Sequence, residues 1–61
     1  MERMLTRKDI QEHTGFGEKK VDKIIKLDGF PKIKIGRDVL IPEGDYIKWY
    51  KANIGKEIFL E

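Results

Sequence analysis

The sequence predicts a small α+β domain in the order helix–helix–β-hairpin–helix. Three observations predict it. Two segments carry apolar residues at helical spacing and are separated by a short turn holding Gly15 and Gly17. Next, Lys32-Ile33-Lys34-Ile35 alternates with period two and is followed by Gly36-Arg37-Asp38 and Val39-Leu40-Ile41. Finally, Tyr46, Trp49 and Tyr50 stand at i, i+3 and i+4, an apolar stripe of a last helix. The 61 residues leave room for one domain, placed over residues 1–55, with a C-terminal tail over 56–61.

Met1 to Met4 read as a lead-in. The first helix is expected over Arg7–Thr14. Thr6 suits its N-cap, since the hydroxyl accepts from an orphan backbone N–H, and Asp9 three residues on completes a shortened capping box. Leu5 and Ile10 flank that turn at hydrophobic-staple positions, and Gly15 stops the helix. The second helix repeats the design from Glu18 to Leu27 or Asp28. Gly17 is a tolerated N-cap, Phe16 and Val21 take the staple positions, and Glu18 suits the positive end of the helix dipole. Val21, Ile24 and Ile25 form its inner stripe, and Gly29 and Pro31 end it. In the hairpin, Ile33, Ile35, Val39 and Ile41 are expected to face the core, with Lys32 and Lys34 pointing away and Arg37 at the tip. Pro42 opens the third helix, Glu43 and Asp45 sit in its first turn, and Gly55 closes it. Trp49 is the strongest single core candidate, because a small domain needs its largest side chains inside. The tail residues Ile58, Phe59 and Leu60 have no pattern that places them.

Composition excludes several classes. There is no cysteine, so no disulfide or thiolate-metal site supports the fold. Nothing approaches the run of about 20 apolar residues that a membrane span needs, and no N-terminal stretch reads as a secretory signal. The expected compartment is the cytoplasm. His13 is the only histidine, and alone it builds none of the usual metal sites. It is expected part-buried with a local hydrogen bond. No nucleophile, base and orienting group stand together, so no enzyme, cofactor, metal or small-molecule substrate is expected.

Net charge is only +2, but its distribution is uneven: residues 15–41 hold seven cations against four anions. On the second helix, Lys19, Lys23 and Lys26 cluster opposite the apolar stripe, with Asp22 beside them and in reach of Lys26 at i+4. Lys19 and Lys23 are like charges at i,i+4, which costs about 0.2–0.5 kcal/mol and is offset where an anion binds. Solvation of an ordinary surface accounts for the same residues. The hairpin lysines serve equally as phosphate contacts or as edge protection, whereas Arg37 at the turn needs no such protection.

The ordered series of motifs resembles a known family. Leu5-Thr6-x-x-Asp9-Ile10, Gly15-Phe16 and Val21-x-x-Ile24-Ile25 are similar to the "LTxxEVA…LGVSxxTVxRLI" pattern of excisionase-like winged helix-turn-helix domains, relatives of the MerR-type DNA-binding domain. Gly29-Phe30-Pro31-Lys32-Ile33-Lys34-Ile35-Gly36-Arg37 resembles that family's "GxxPxxRIGRR", and Leu40-Ile41-Pro42 with Trp49 resembles "RIPxxDLxxW". The likeness spans residues 5–50. Gly17 departs from the usual Ser or Thr, Gln11, His13 and Thr14 from Ala and Leu, and Asp38 from a second basic residue.

The resemblance implies a small DNA-binding protein of phages and mobile elements. Such proteins bind direct repeats in double-stranded DNA near an attachment site, bend it, assemble in several copies and help a tyrosine integrase choose excision. Several also regulate transcription. It implies that the second helix enters the major groove and that the hairpin is a wing on the minor groove or backbone. By position, Glu18, Lys19, Asp22 and Lys23 would face bases or phosphates, and Lys34 and Arg37 would serve the wing. The chemistry of the residues themselves suits Lys20, Lys26, Lys34 and Arg37 to phosphate contacts that position the domain. Lys19 and Lys23 would reach guanine acceptors, and Glu18 or Asp22 would accept from a cytosine amine. A transcriptional regulator without a recombinase needs the same surface. A protein-interaction adaptor that no longer binds DNA is the rival from another class, kept in view by the acids Glu18, Asp22 and Asp38.

Overall fold

The computed structural model describes all 61 residues as β1 (Met4–Leu5), α1 (Arg7–Thr14), α2 (Glu18–Ile25), β2 (Ile33–Ile35), β3 (Asp38–Pro42) and α3 (Glu43–Ala52). The three strands form one antiparallel sheet in the order β1-β3-β2. The element order is therefore β-α-α-β-β-α, and the expected lead-in contains a strand.

That first segment is tied to the junction of β3 and α3. Leu5 pairs with Ile41 and Met4 with Pro42. The Glu43 N–H donates to the Arg3 carbonyl at 3.0 Å. The Gly44 N–H donates to Glu2 Oε2 at 2.9 Å. Pro42 at the N-cap of α3 supplies no side-chain acceptor, so the Glu2 carboxylate takes that role for the helix end. A Cβ at Gly44 would lie 2.6 Å from the same carboxylate oxygen, so the close approach depends on glycine there.

Helix α1 forms as its capping signals predict. The Thr6 N–H donates to Asp9 Oδ2 at 2.8 Å, and the Asp9 N–H donates to Thr6 Oγ1 at 3.3 Å. Gly15 closes the helix at φ +78°, a left-handed position that favours glycine. Accepting the Thr6 N–H holds the Asp9 carboxyl below its usual range; partial desolvation opposes this, while the Thr6 hydroxyl and Arg3 add to it.

Helix α2 ends at Ile25, two residues before the earlier of the expected limits. The Leu27 N–H turns to the Ile24 carbonyl at 3.1 Å, an i−3 contact that tightens the last turn. Gly29, at φ +82°, then swings Phe30 into the core. Helix α3 likewise ends at Ala52, ahead of Gly55, where Asn53 Nδ2 donates to the Trp49 carbonyl at 2.7 Å.

The hairpin differs most from its reading. Ile35 pairs with Asp38, Lys34 with Val39 and Ile33 with Leu40, so the connection is the two residues Gly36 and Arg37. Directly paired residues share a face of the sheet. Lys34 therefore lies on the face of Val39, while Ile33 and Ile35 lie on the outer face, 45% and 56% exposed. A three-residue connection through Asp38 would have put Ile35 opposite Val39. Removing one residue exchanges the faces of the whole strand, because the side-chain period is two.

The core holds one or two residues from each element except β2: Leu5, Ile10, Val21, Ile25, Val39, Ile41 and Tyr46, with Phe30 from the loop after α2. Tyr46, not Trp49, is the buried aromatic of α3. Trp49 is half-buried beside it, edge-on to Phe30 with ring centroids 4.8 Å apart. Both lie on the expected stripe, but α3 turns the Tyr46 end of it toward Ile41.

Two predictions follow from this packing. Ile41→Ala removes a side chain with no accessible surface and should cost about 2–5 kcal/mol. Ile35→Thr, on the outer face, should stay within about 0.5 kcal/mol; urea unfolding of both variants checks the contrast. The lowered Asp9 value also sets a pH dependence. The capping box stabilises the fold above about pH 4, where the unfolded carboxyl is ionised, and this contribution is lost as pH falls through the lower folded value. The difference in melting temperature between the protein and Asp9→Asn should therefore shrink as the pH is taken below about 4.

Candidate nucleic-acid interface

Helix α2 buries Val21 and Ile25, and this fixes what its other side presents. Lys19, Lys23 and Lys26 project from the opposite side, all exposed. None of the three forms an ion pair; the ion pairs of the molecule belong to Arg3 and Arg7. Glu18 is exposed in the first turn of α2, next to the positive end of the helix dipole. Lys34 and Arg37 on the hairpin are exposed and likewise free of ion pairs.

Two of the expected contact residues have protein partners instead of open solvent. Lys20 Nζ stands 4.5 Å from the ring centroid of Phe16, a cation–π contact. Phe16 itself remains largely exposed at its staple position. Asp22 does not pair with Lys26. Its Oδ1 lies 3.1 Å from Arg7 Nε, across the α1–α2 turn. That oxygen is buried without an aligned hydrogen bond, so the Arg7 charge alone compensates it. Lys32 Nζ reaches back to the Leu27 carbonyl at 3.2 Å and so anchors the start of the hairpin to the end of α2.

Arg7 is the residue that sequence reasoning missed. It contacts Asp22 on α2 and, with Lys8, borders a concavity whose other wall includes Ile35 and Asp38 of the hairpin. It thus meets α2 through Asp22 and faces the hairpin across that concavity. No pattern in the sequence signals this, since it depends on the angle between α1 and α2. Arg3, also unassigned, links the starts of α1 and α3, lying 3.7 Å from Asp9 Oδ1 and 3.5 Å from Glu43 Oε2.

On the other flank of α2, an apolar groove of about 430 Å³ runs between α1, α2 and α3. Ile10, Ile24 and Trp49 line it, and Ile58 and Leu60 of the tail lie along its edge. The tail thus packs on its own domain. His13 is more exposed than expected, and its hydrogen bond is long-range where a local one was expected: Nδ1 meets the Tyr46 hydroxyl of α3 at 2.8 Å, and the rings cross edge-on. Burial, with the neighbouring Tyr50, pushes the Tyr46 phenol above its ordinary value, so it stays protonated at neutral pH. This arrangement is a packed polar contact beside the core. No three His, Asp or Glu side chains converge as metal ligands, and no helix is long and apolar enough to cross a membrane.

The lysine face can be altered without harm to the fold. Lys19→Ala with Lys23→Ala relieves a like-charge pair one turn apart and touches no buried group. Its stability should equal or exceed the parent's by about 0.2–0.5 kcal/mol, read from thermal unfolding. Comparison of the chain with protein-family models, with curated proteins and with solved structures returns no match.

Proposed function

We propose that this protein is a winged helix-turn-helix DNA-binding module, with α2 in the major groove and the β2–β3 hairpin as the wing. The observation that carries the reading is the set of five exposed, unpaired cations: Lys19, Lys23 and Lys26 on one side of α2, and Lys34 and Arg37 on the hairpin. Duplex DNA offers a dense row of anions, and neutralising them releases condensed counterions. Lys26, Lys34 and Arg37 position the domain on phosphates, joined by Lys20 once it leaves Phe16. Lys19 and Lys23 reach for guanine acceptors, and Glu18 selects a cytosine amine. Asp22 contributes by holding Arg7 beside the helix.

The sequence resemblance supports the narrower role of an excisionase that bends attachment-site DNA for a tyrosine integrase. A domain of this size covers only about 600–1,000 Å² of protein surface on DNA, so useful selectivity comes from several copies on adjacent sites. The same surface suits a transcriptional regulator. The outer hairpin face, with Ile33 and Ile35 exposed, favours a second reading in which the domain docks on a protein.

Duplex binding measured across about 50–200 mM salt tests the proposal. Phosphate contacts from Lys26, Lys34 and Arg37, joined by Lys20, give a log–log slope of about −3 to −4, and Lys19→Ala with Lys23→Ala weakens binding and relaxes base preference with the slope little changed. Tighter binding to attachment-region DNA than to random duplex supports the excisionase role. Equal binding to both removes that role and keeps the DNA reading. No binding at the lowest salt removes both and leaves protein docking.

A further inference from the structure

The tail alternates in its contacts. Ile58 and Leu60 line the apolar groove, whereas Phe59 and Glu61 border a separate concavity formed with Lys23, Lys26, Leu27 and Asp28, so Glu61 adds a second carboxylate to one already there. Gly55, at φ +85°, turns the chain from the end of α3 into this path. The Lys56 N–H donates to the Asn53 carbonyl at 3.0 Å. Beyond that bond, no hydrogen bond or ion pair holds any of residues 57–61. The segment is seated by apolar side chains alone, and that seating is partial: Phe59 stays 77% exposed.

We propose that residues 57–61 form a releasable strap that lowers the affinity of the α2 lysine face for duplex DNA. The proposal rests on the DNA reading above. Closed, the strap places Glu61 and Phe59 beside Lys23 and Lys26, with the exposed Glu57 preceding them. Acidic groups within about 8–10 Å of these lysines reduce their attraction for phosphate, and Phe59 adds bulk on that flank. Lys23 and Lys26 are solvent-exposed with the strap closed, so opening acts by withdrawing Glu61 and Phe59 from their flank, and it also bares the groove. Apparent affinity scales with the fraction of open molecules, so a strap closed in about nine molecules of ten weakens binding about tenfold.

Trp49 is the only tryptophan and lines the groove, so its emission reports the strap without DNA. Ile58→Ser with Leu60→Ser leaves net charge unchanged and should shift that emission to the red. It should also tighten duplex binding about tenfold at about 50 mM salt. Glu57→Gln with Glu61→Gln should tighten binding by a smaller factor with no shift in emission. It should do so by more than the same charge change made remotely by Glu12→Gln with Asp45→Asn. If the serine variant loses its helical circular dichroism, the glutamine comparison decides. A red shift with unchanged affinity, or glutamine variants no different from the remote pair, overturns the strap's inhibitory role while DNA binding stands. An unshifted emission overturns its seating. Absence of duplex binding by every protein, the parent included, overturns the DNA reading and the inhibitory role with it.

Discussion

Strand β3 has hydrogen-bonded neighbours on both edges, and the remaining elements take their places from it. Its outer half pairs with β2 and its inner half with β1. Ile41, between them, has no accessible surface. Pro42 ends the ladder and opens α3, so the strand that centres the sheet also aims Tyr46 into the same core. A domain of this size has few apolar residues to bury, and here no element contributes more than two of them. Helix α2 sits on that core through Val21 and Ile25. Its lysine face points outward as a consequence of this packing.

The cations divide by what they meet. Arg3 and Arg7 stand near helix starts and bind Asp9, Glu43 and Asp22, so they hold elements to one another. Such exposed pairs contribute little stability, about 0–1 kcal/mol each, and their effect is mainly on orientation. The lysines of α2 and the cations of the hairpin make no such pairs, so their charges stay uncompensated although the net charge is only +2. Buried Asp22 Oδ1 belongs to the first group. Its charge is absorbed at the α1–α2 turn and so subtracts less from the basic face than the sequence suggests.

Local signals were legible in the sequence, and orientation was not. The Thr6–Asp9 box, the Gly15 stop and the period-two run through Ile35 are short-range chemistry, and each element they mark is present. Strand β1 is two residues long and has no period to detect; it exists because residues 41 and 42 offer an edge. Tyr46 and Trp49 share one stripe, and only the setting of α3 on the sheet decides which is buried. The Arg7–Asp22 pair needs the angle between two helices. The tail has no period, yet its apolar residues find a groove assembled from three distant segments. Among the candidate contacts, the exposed positions of Lys19, Lys23 and Lys26 follow from helical periodicity, whereas the engagement of Lys20 by Phe16 turns on a side-chain conformation.

The two-residue connection at Gly36 and Arg37 separates what this hairpin can vary from what it must keep. While Ile35 stays opposite Asp38, extra residues at the tip lengthen the loop and leave every side chain on its own side. A slip of one residue within the ladder would instead send Lys34 to the outer side and bring Ile33 and Ile35 to the inner, exchanging a basic rim for an oily one. The hairpin is therefore free in its reach and constrained in its pairing.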